Sequence, residues 1–217
     1  MLSLTPGSLR TVLCLGAHSD DIEIGCGATL LGLQQQNPEL RIVWVVFSAE
    51  PPRDGEARRS AADFLGGGRQ HEIRIHPFRT SYFPTQSEAI KDCIEGLKAE
   101  FTPDLILTHF RDDRHQDHRL LSDLAWNTFR HHLILEYEIP KYDGDLSAPN
   151  VFVPVPAETV ERKISLLLRH FGTQSNKHWF SADLFRGLLR IRGMECGAQY
   201  AEAFYGRKLT LGPPSPP

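Results

Sequence analysis

Through its first half, this chain alternates apolar runs of strand length with stretches of helical period. That alternation constrains its fold more than any other feature. Residues 11–16, 41–48 and 105–107 read as apolar strands, and residues 72–76 as a short third strand in the series. Between them Ile24, Ala28 and Leu31 fall on one helical face, as do Ala57, Ala61, Phe64 and Leu65, and then Ile90, Ile94, Leu97 and Phe101. Gly66-Gly67-Gly68 ends the second helix, and Pro103 closes the third. Strands separated by helices of this length need crossover connections, which are right-handed and build a mainly parallel sheet. The expected architecture is a three-layer α/β/α, Rossmann-like domain over residues 1–210. Residues 132–139 read as a further strand, 140–150 as a loop rich in Gly, Pro and Asp, and Val160, Ile164, Leu167, Leu168 and Phe171 as one more helix. The proline-rich end, residues 211–217, reads as a disordered tail.

At 217 residues the chain can fill one core, and nothing requires a second domain. Its net charge of −3, with arginines scattered rather than clustered, offers no electrostatic footprint for nucleic acid or an anionic membrane. The apolar run that includes 43–47 is far too short for a membrane span. Four cysteines, Cys14, Cys26, Cys93 and Cys196, lie far apart with no C-x-x-C pair, which argues against a disulfide framework or a zinc ribbon. With one basic residue, Arg10, before a short apolar run and no cleavage pattern after it, a cytoplasmic location is expected.

Two polar tetrapeptides carry the chemistry. His18-Ser19-Asp20-Asp21 follows the first strand, and His115-Gln116-Asp117-His118 follows the fourth after a polar loop. An open parallel sheet places its sites at the carboxyl ends of its strands. Taken alone, either motif could be an acidic helix start, with Asp20 or Asp21 as a plain N-cap. After two strands of one sheet, they predict two loops converging on a divalent cation. A His-His-carboxylate set with an open position suits catalytic zinc, and the same ligands suit Fe2+, Mn2+ or Co2+.

The residues also carry a family resemblance. Ala17-His18-Ser19-Asp20-Asp21-Ile22-Glu23 resembles the A-H-P-D-D-x-E signature of the PIG-L/LmbE-like de-N-acetylases, and His115-Gln116-Asp117-His118 resembles their H-P-D-H motif. Arg53 with Glu56, Ala61-Ala62 and Leu65-Gly66 is similar to a third stretch, and Tyr200-Ala201-Glu202-Ala203-Phe204 to the closing A-E-A-F segment. Ser19 and Gln116 replace prolines, which supply no ligand atom. The resemblance implies His18, Asp21 and His118 as metal ligands, Asp20 as general base, and His115, oriented by Asp117, acting on the oxyanion or the leaving amine. It also implies Arg53 as a substrate contact. The implied reaction is removal of an N-acetyl group from an N-acetylglucosamine-type conjugate by a metal-bound water. An amide or ester hydrolase of a non-sugar metabolite, or a non-catalytic metal-binding protein, is the alternative. The expected partner is a small acetylated sugar, and relatives make a homo-oligomer plausible.

Three further features are read with less reach. Glu23 is expected to support the first loop, with contact to a substrate hydroxyl as the alternative, and His109, ending the fourth strand, to pack near the metal. Residues 136–145 concentrate tyrosines and carboxylates that suit either a sugar subsite or a solvated loop. His131, His132, His170 and His178 lack partner spacing and read as surface residues.

Overall fold

The computed structural model describes residues 9–68 and 70–210. Its strands are β1 (Thr11–His18), β2 (Arg41–Ser48), β3 (Glu72–Ile75), β4 (Leu105–His109), β5 (Leu133–Tyr137), β6 (Val151–Pro154) and β7 (Ala201–Gly206). Its helices are α1 (Asp21–Gln36), α2 (Arg53–Leu65), α3 (Ser87–Glu100), α4 (Gln116–Thr128), α5 (Ala157–His170) and α6 (Ala182–Cys196). One mixed seven-stranded sheet runs β3-β2-β1-β4-β5-β7-β6. The five strands from β3 to β5 pair in parallel, while β7 pairs antiparallel with both β5 and β6.

Burial on both faces explains why the central strands β1, β2 and β4 are largely apolar, whereas the edge strand β3, Glu-Ile-Arg-Ile, is half-buried. Along β1, Val12 and Cys14 enter one core with Ile22, Trp44 and Phe64, while Leu13 and Leu15 enter another with Ile90, Ile94 and Leu121. The sheet is thus the middle of three layers, as the sequence predicts. The cysteines are all free. Among the described residues, no helix is long and apolar enough to cross a membrane.

Strand order reverses between β1 and β4, since the chain leaves β1 for β2 on one side and returns to β4 on the other. At such a reversal neighbouring loops diverge and open a crevice above the strand ends. Both polar motifs sit there. β1 runs through His18, which pairs with Ser48, two residues beyond the expected end.

Three elements escape the sequence reading. β6 is a four-residue edge strand, and β7 coincides with a segment read only as a motif. In α6 the apolar stripe is interrupted by Arg192, which is buried because Glu138 accepts two hydrogen bonds from it at 2.7 and 2.8 Å. Residues 136–145 also need correction. Glu136 and Tyr137 belong to β5, and Glu136, Tyr137 and Glu138 are buried. Only the segment from Ile139 to Asp143 reaches the cleft described below. The expected tail at 211–217 lies outside the described residues.

Candidate active site

The loop from β1 into α1 is short because the helix starts at Asp21, three residues after His18. Asp21 Oδ2 accepts the His18 backbone N–H at 2.6 Å, so the turn folds this carboxylate back beside the imidazole. Asp20 occupies the N-cap position of α1, yet its side chain makes no capping bond. That removes the plain capping role and leaves Asp20 available for chemistry. On the other side His115 is the N-cap of α4: its Nδ1 accepts the Asp117 N–H at 3.2 Å. The first turn of α4 then carries His118 inward, 2 % exposed.

The two loops meet. His18 Nδ1 lies 3.1 Å from His118 Nε2, and Asp21 Oδ2 lies 3.4 Å from the first and 3.5 Å from the second. Three donors bound at about 2.0–2.1 Å in tetrahedral directions stand about 3.3 Å apart, so this triangle fits one zinc-sized ion. His115 belongs to the same cluster, since His18, His115 and His118 offer nitrogens within 4.8 Å of one another. His109 is also close, its ring stacked on that of His118 with centroids 3.9 Å apart. However, His109 Nε2 accepts the Ala17 N–H at 2.9 Å, which engages the lone pair that a metal would need.

A second set of carboxylates orients the imidazoles. His18 Nε2 lies 3.2 Å from Asp117 Oδ2, and His118 Nδ1 lies 2.9 Å from Asp113 Oδ2. Each carboxylate fixes which ring nitrogen points away from the triangle, the usual arrangement around metal-bound histidines. Asp117 also accepts the N–H groups of Ser81 and Phe83 at 2.6 and 3.1 Å. The expectation that its carboxylate orients His115 is therefore corrected: it holds His18, and only its backbone N–H touches His115. Asp113 was missed in the sequence, where it is one acid among Arg111-Asp112-Asp113-Arg114. Its other oxygen accepts the His115 N–H at 2.7 Å, and Lys141 Nζ donates to Oδ2 at 2.9 Å. A D-x-H spacing was the available signal.

Electrostatics follow from this packing. Burial opposes a charge on His18, but Asp21 and Asp117 outweigh it and raise its pKa to about 9. Burial and the neighbouring His109 push His118 down to about 3. One proton shared across the 3.1 Å contact accordingly rests on His18, and a cation would take its place. Burial would raise Asp21, Asp113 and Asp117, yet the adjacent histidines hold all three below the ordinary carboxylate range. Asp20 is pushed up by burial, against the pull of Arg53, whose Nη2 donates to Asp20 Oδ1 at 3.0 Å. His115 is lowered by burial and by His18. A neutral ring whose Nδ1 accepts a hydrogen bond carries its proton on Nε2.

The surrounding cleft has a volume of about 300 Å³, and Arg53, Ser81, Tyr142, Lys177 and Trp179 help to line it. Glu56 ties α2 to the segment behind Gln174, accepting the Thr173 N–H and hydroxyl at 2.9 and 2.6 Å. His178, read as a surface residue, touches the cleft wall through the Tyr142 hydroxyl at 3.3 Å. Glu23 is fully buried, and burial pushes its carboxyl well up. Ser60 is the neighbouring side chain that opposes this shift.

Known proteins share this arrangement of chain. Residues 13–129 match the PIG-L family, described as GlcNAc-PI de-N-acetylase. The uncharacterized deacetylase YaiS of Escherichia coli (strain K12) is 30 % identical over 171 residues, covering 74 % of this chain and 90 % of that protein. Among solved structures, the N,N'-diacetylchitobiose deacetylase from Pyrococcus horikoshii superposes with a TM-score of 0.71 at 21 % identity, covering 91 % of this chain and 83 % of that one. GalB, the 4-carboxy-2-hydroxymuconate hydratase from Pseudomonas putida KT2440, also gives 0.71, at 12 % identity over 95 % of this chain and 100 % of that one. The fold alone therefore does not select a reaction. With a family match across more than half its length and a relative at this identity, the chain belongs to the PIG-L family of de-N-acetylases.

Proposed function

We propose that this protein is a metal-dependent N-deacetylase that hydrolyses the acetamido group of an N-acetylated amino sugar, of the N-acetylglucosamine type, to acetate and a free amine. The observation that carries the reading is the triangle of His18, Asp21 and His118, with Asp20 beside it and engaged by neither the triangle nor a helix cap. Two nitrogens and a carboxylate oxygen suit Zn2+, and Fe2+, Mn2+ or Co2+ accept the same set. When bound, the cation supplies Lewis acidity, polarising the amide carbonyl and lowering the pKa of water from about 15.7 toward about 7.

The remaining chemistry belongs to the side chains. Asp20 takes the proton from the attacking water and returns it to the nitrogen as the C–N bond breaks, which makes a good leaving group of an otherwise poor one. Arg53 holds Oδ1 of Asp20 and leaves Oδ2 for the water. Nε2–H of His115 donates to the carbonyl oxygen as negative charge develops there, or to the departing amine. Asp117 and Asp113 keep His18 and His118 aimed. Arg53 and the Tyr142–Trp179 side of the cleft contact the sugar.

Metal analysis of the purified protein, coupled to an acetate-release screen, tests this. Turnover of an N-acetylglucosamine derivative that is lost on chelation and restored by Zn2+ is expected. Release of acyl groups from non-sugar amides alone would overturn the substrate class, and metal-independent release would overturn the mechanism.

A further inference from the structure

We infer that Glu202 and Lys163 are positioning residues, which set the direction of the catalytic first turns of α1 by entering that helix's own hydrogen-bond ladder. In an uninterrupted α-helix the Ala28 N–H pairs with the Ile24 carbonyl. Here each of these groups has a charged partner from elsewhere in the chain. Glu202 Oε1 accepts the Ala28 N–H at 2.9 Å, and Glu202 Oε2 accepts the Thr29 N–H at 2.6 Å. Lys163 Nζ donates to the Ile24 carbonyl at 2.6 Å and to Glu202 Oε1 at 2.6 Å. Lys163 is 2 % exposed and Glu202 3 %. The pair lies in the middle of α1, two turns after Asp21, where an inserted side chain changes the course of a helix.

The turns ahead of the insertion are held on their other side. A Cβ at Gly25 would stand 2.2 Å from the Tyr137 ring, so the backbone of α1 rests directly on β5 there. Tyr137 in turn donates to the Leu15 carbonyl of β1 at 2.7 Å. The segment carrying Asp21 is thus pinned to the Tyr137 ring at Gly25, and Lys163 and Glu202 hold the α1 backbone on either side of it, at Ile24 and at Ala28 and Thr29. Stability does not account for such a pair. A buried ion pair is often replaceable by apolar residues with no loss of stability. What the pair adds is a fixed anchor on the α1 backbone at Ile24, Ala28 and Thr29, one to two turns after Asp21, and so a fixed position of Asp21 against His118. Glu202 is the acid of Ala201-Glu202-Ala203-Phe204, a segment with no other role in the site. From β7, well outside the residues 13–129 that match the family, it holds the α1 backbone at Ala28 and Thr29, two turns beyond Asp21.

The inference rests on the metal-centre reading, and wild-type protein tests that reading by itself through zinc binding. The test of the positioning role is the double variant Lys163→Met/Glu202→Leu, compared with wild type by thermal unfolding, by zinc titration against a chelator, and by backbone amide exchange of metal-free protein. The variant is expected to stay folded with a Tm near or above that of wild type. Exchange in the first turn of α1 should change, and zinc affinity should fall by about tenfold, at the lower end of what outer-shell partners contribute. Acetate release should lose kcat with little change in KM. Glu202→Gln, which keeps the shape and one acceptor, should fall between the two. A folded variant of either kind with wild-type zinc affinity overturns the inference. If wild type itself binds no zinc, the metal reading fails, and unchanged first-turn exchange in the variant would then overturn the positioning role separately.

Discussion

Asp113→Asn isolates the carboxylate that organises both histidines of the second motif. Asp113 Oδ2 receives His118 Nδ1 and Lys141 Nζ at 2.9 Å each, while Oδ1 receives the His115 N–H at 2.7 Å. An asparagine of the same shape has one acceptor oxygen. If that oxygen stays with His115, the amide NH2 faces His118 Nδ1, which must then accept. The proton moves to Nε2, the atom that faces His18 and Asp21, and the ligand lone pair is lost. If the amide flips, His118 keeps its partner but the His115 N–H faces a donor. Either way one buried, charge-assisted hydrogen bond disappears, worth about 1.5–3 kcal/mol. For a chain of this size that lowers Tm by about 4–8 °C per 2 kcal/mol lost. Zinc affinity should fall by about 10- to 100-fold, or about 1.4–2.7 kcal/mol. Lys141→Met is the control: it removes charge from Asp113 but leaves the His118 contact, so its zinc affinity should change far less. Chelator competition and differential scanning calorimetry read both quantities. An Asp113→Asn protein that is folded and binds zinc within about twofold of wild type would refute the assignment of Asp113 as the partner of His118.

Three further outcomes are expected. Asp20→Asn should keep zinc and fold but lose about 10²- to 10⁴-fold in acetate release, the usual contribution of a general base; a normal rate with metal bound would remove Asp20 from that role. Stripping the metal should lower Tm, because a ligand at about 100 times its Kd stabilises by about 2.7 kcal/mol; equal unfolding curves with and without zinc would contradict a site of this affinity. Gly25→Ala should destabilise by more than about 2 kcal/mol despite the better helix propensity of alanine, since the new methyl meets the Tyr137 ring. Combining it with Tyr137→Leu should recover part of the loss, and a stable single variant would refute the close packing.

Much of the architecture was legible because its signals are local. β2 spans the expected residues, α1 begins at Asp21, the last residue of the first polar motif, and α4 at Gln116, the second residue of the other. β1, β2 and β4 are buried on both faces, so their apolar runs stand out without knowledge of their neighbours. α6 was not legible for the opposite reason: Arg192 reads as a surface charge until Glu138, far away in sequence, is placed beside it. The histidines and aspartates of the candidate site could be listed from two tetrapeptides, but their partners could not. Asp113 looks like its neighbour Asp112, yet the first is 2 % exposed and the second lies on the surface.

By itself, the sequence determined the layer order, the strand ends that carry chemistry and the residue types available there, since each depends on periodicity or on neighbours within a few positions. Tertiary structure alone decided which nitrogen of each imidazole is free, that Asp117 serves His18 rather than His115, and that Glu202 grips a helix it never adjoins in the chain. Those choices depend on distances of about 3 Å between groups up to 174 residues apart, and hydrogen bonds lose their strength within a fraction of an ångström beyond contact.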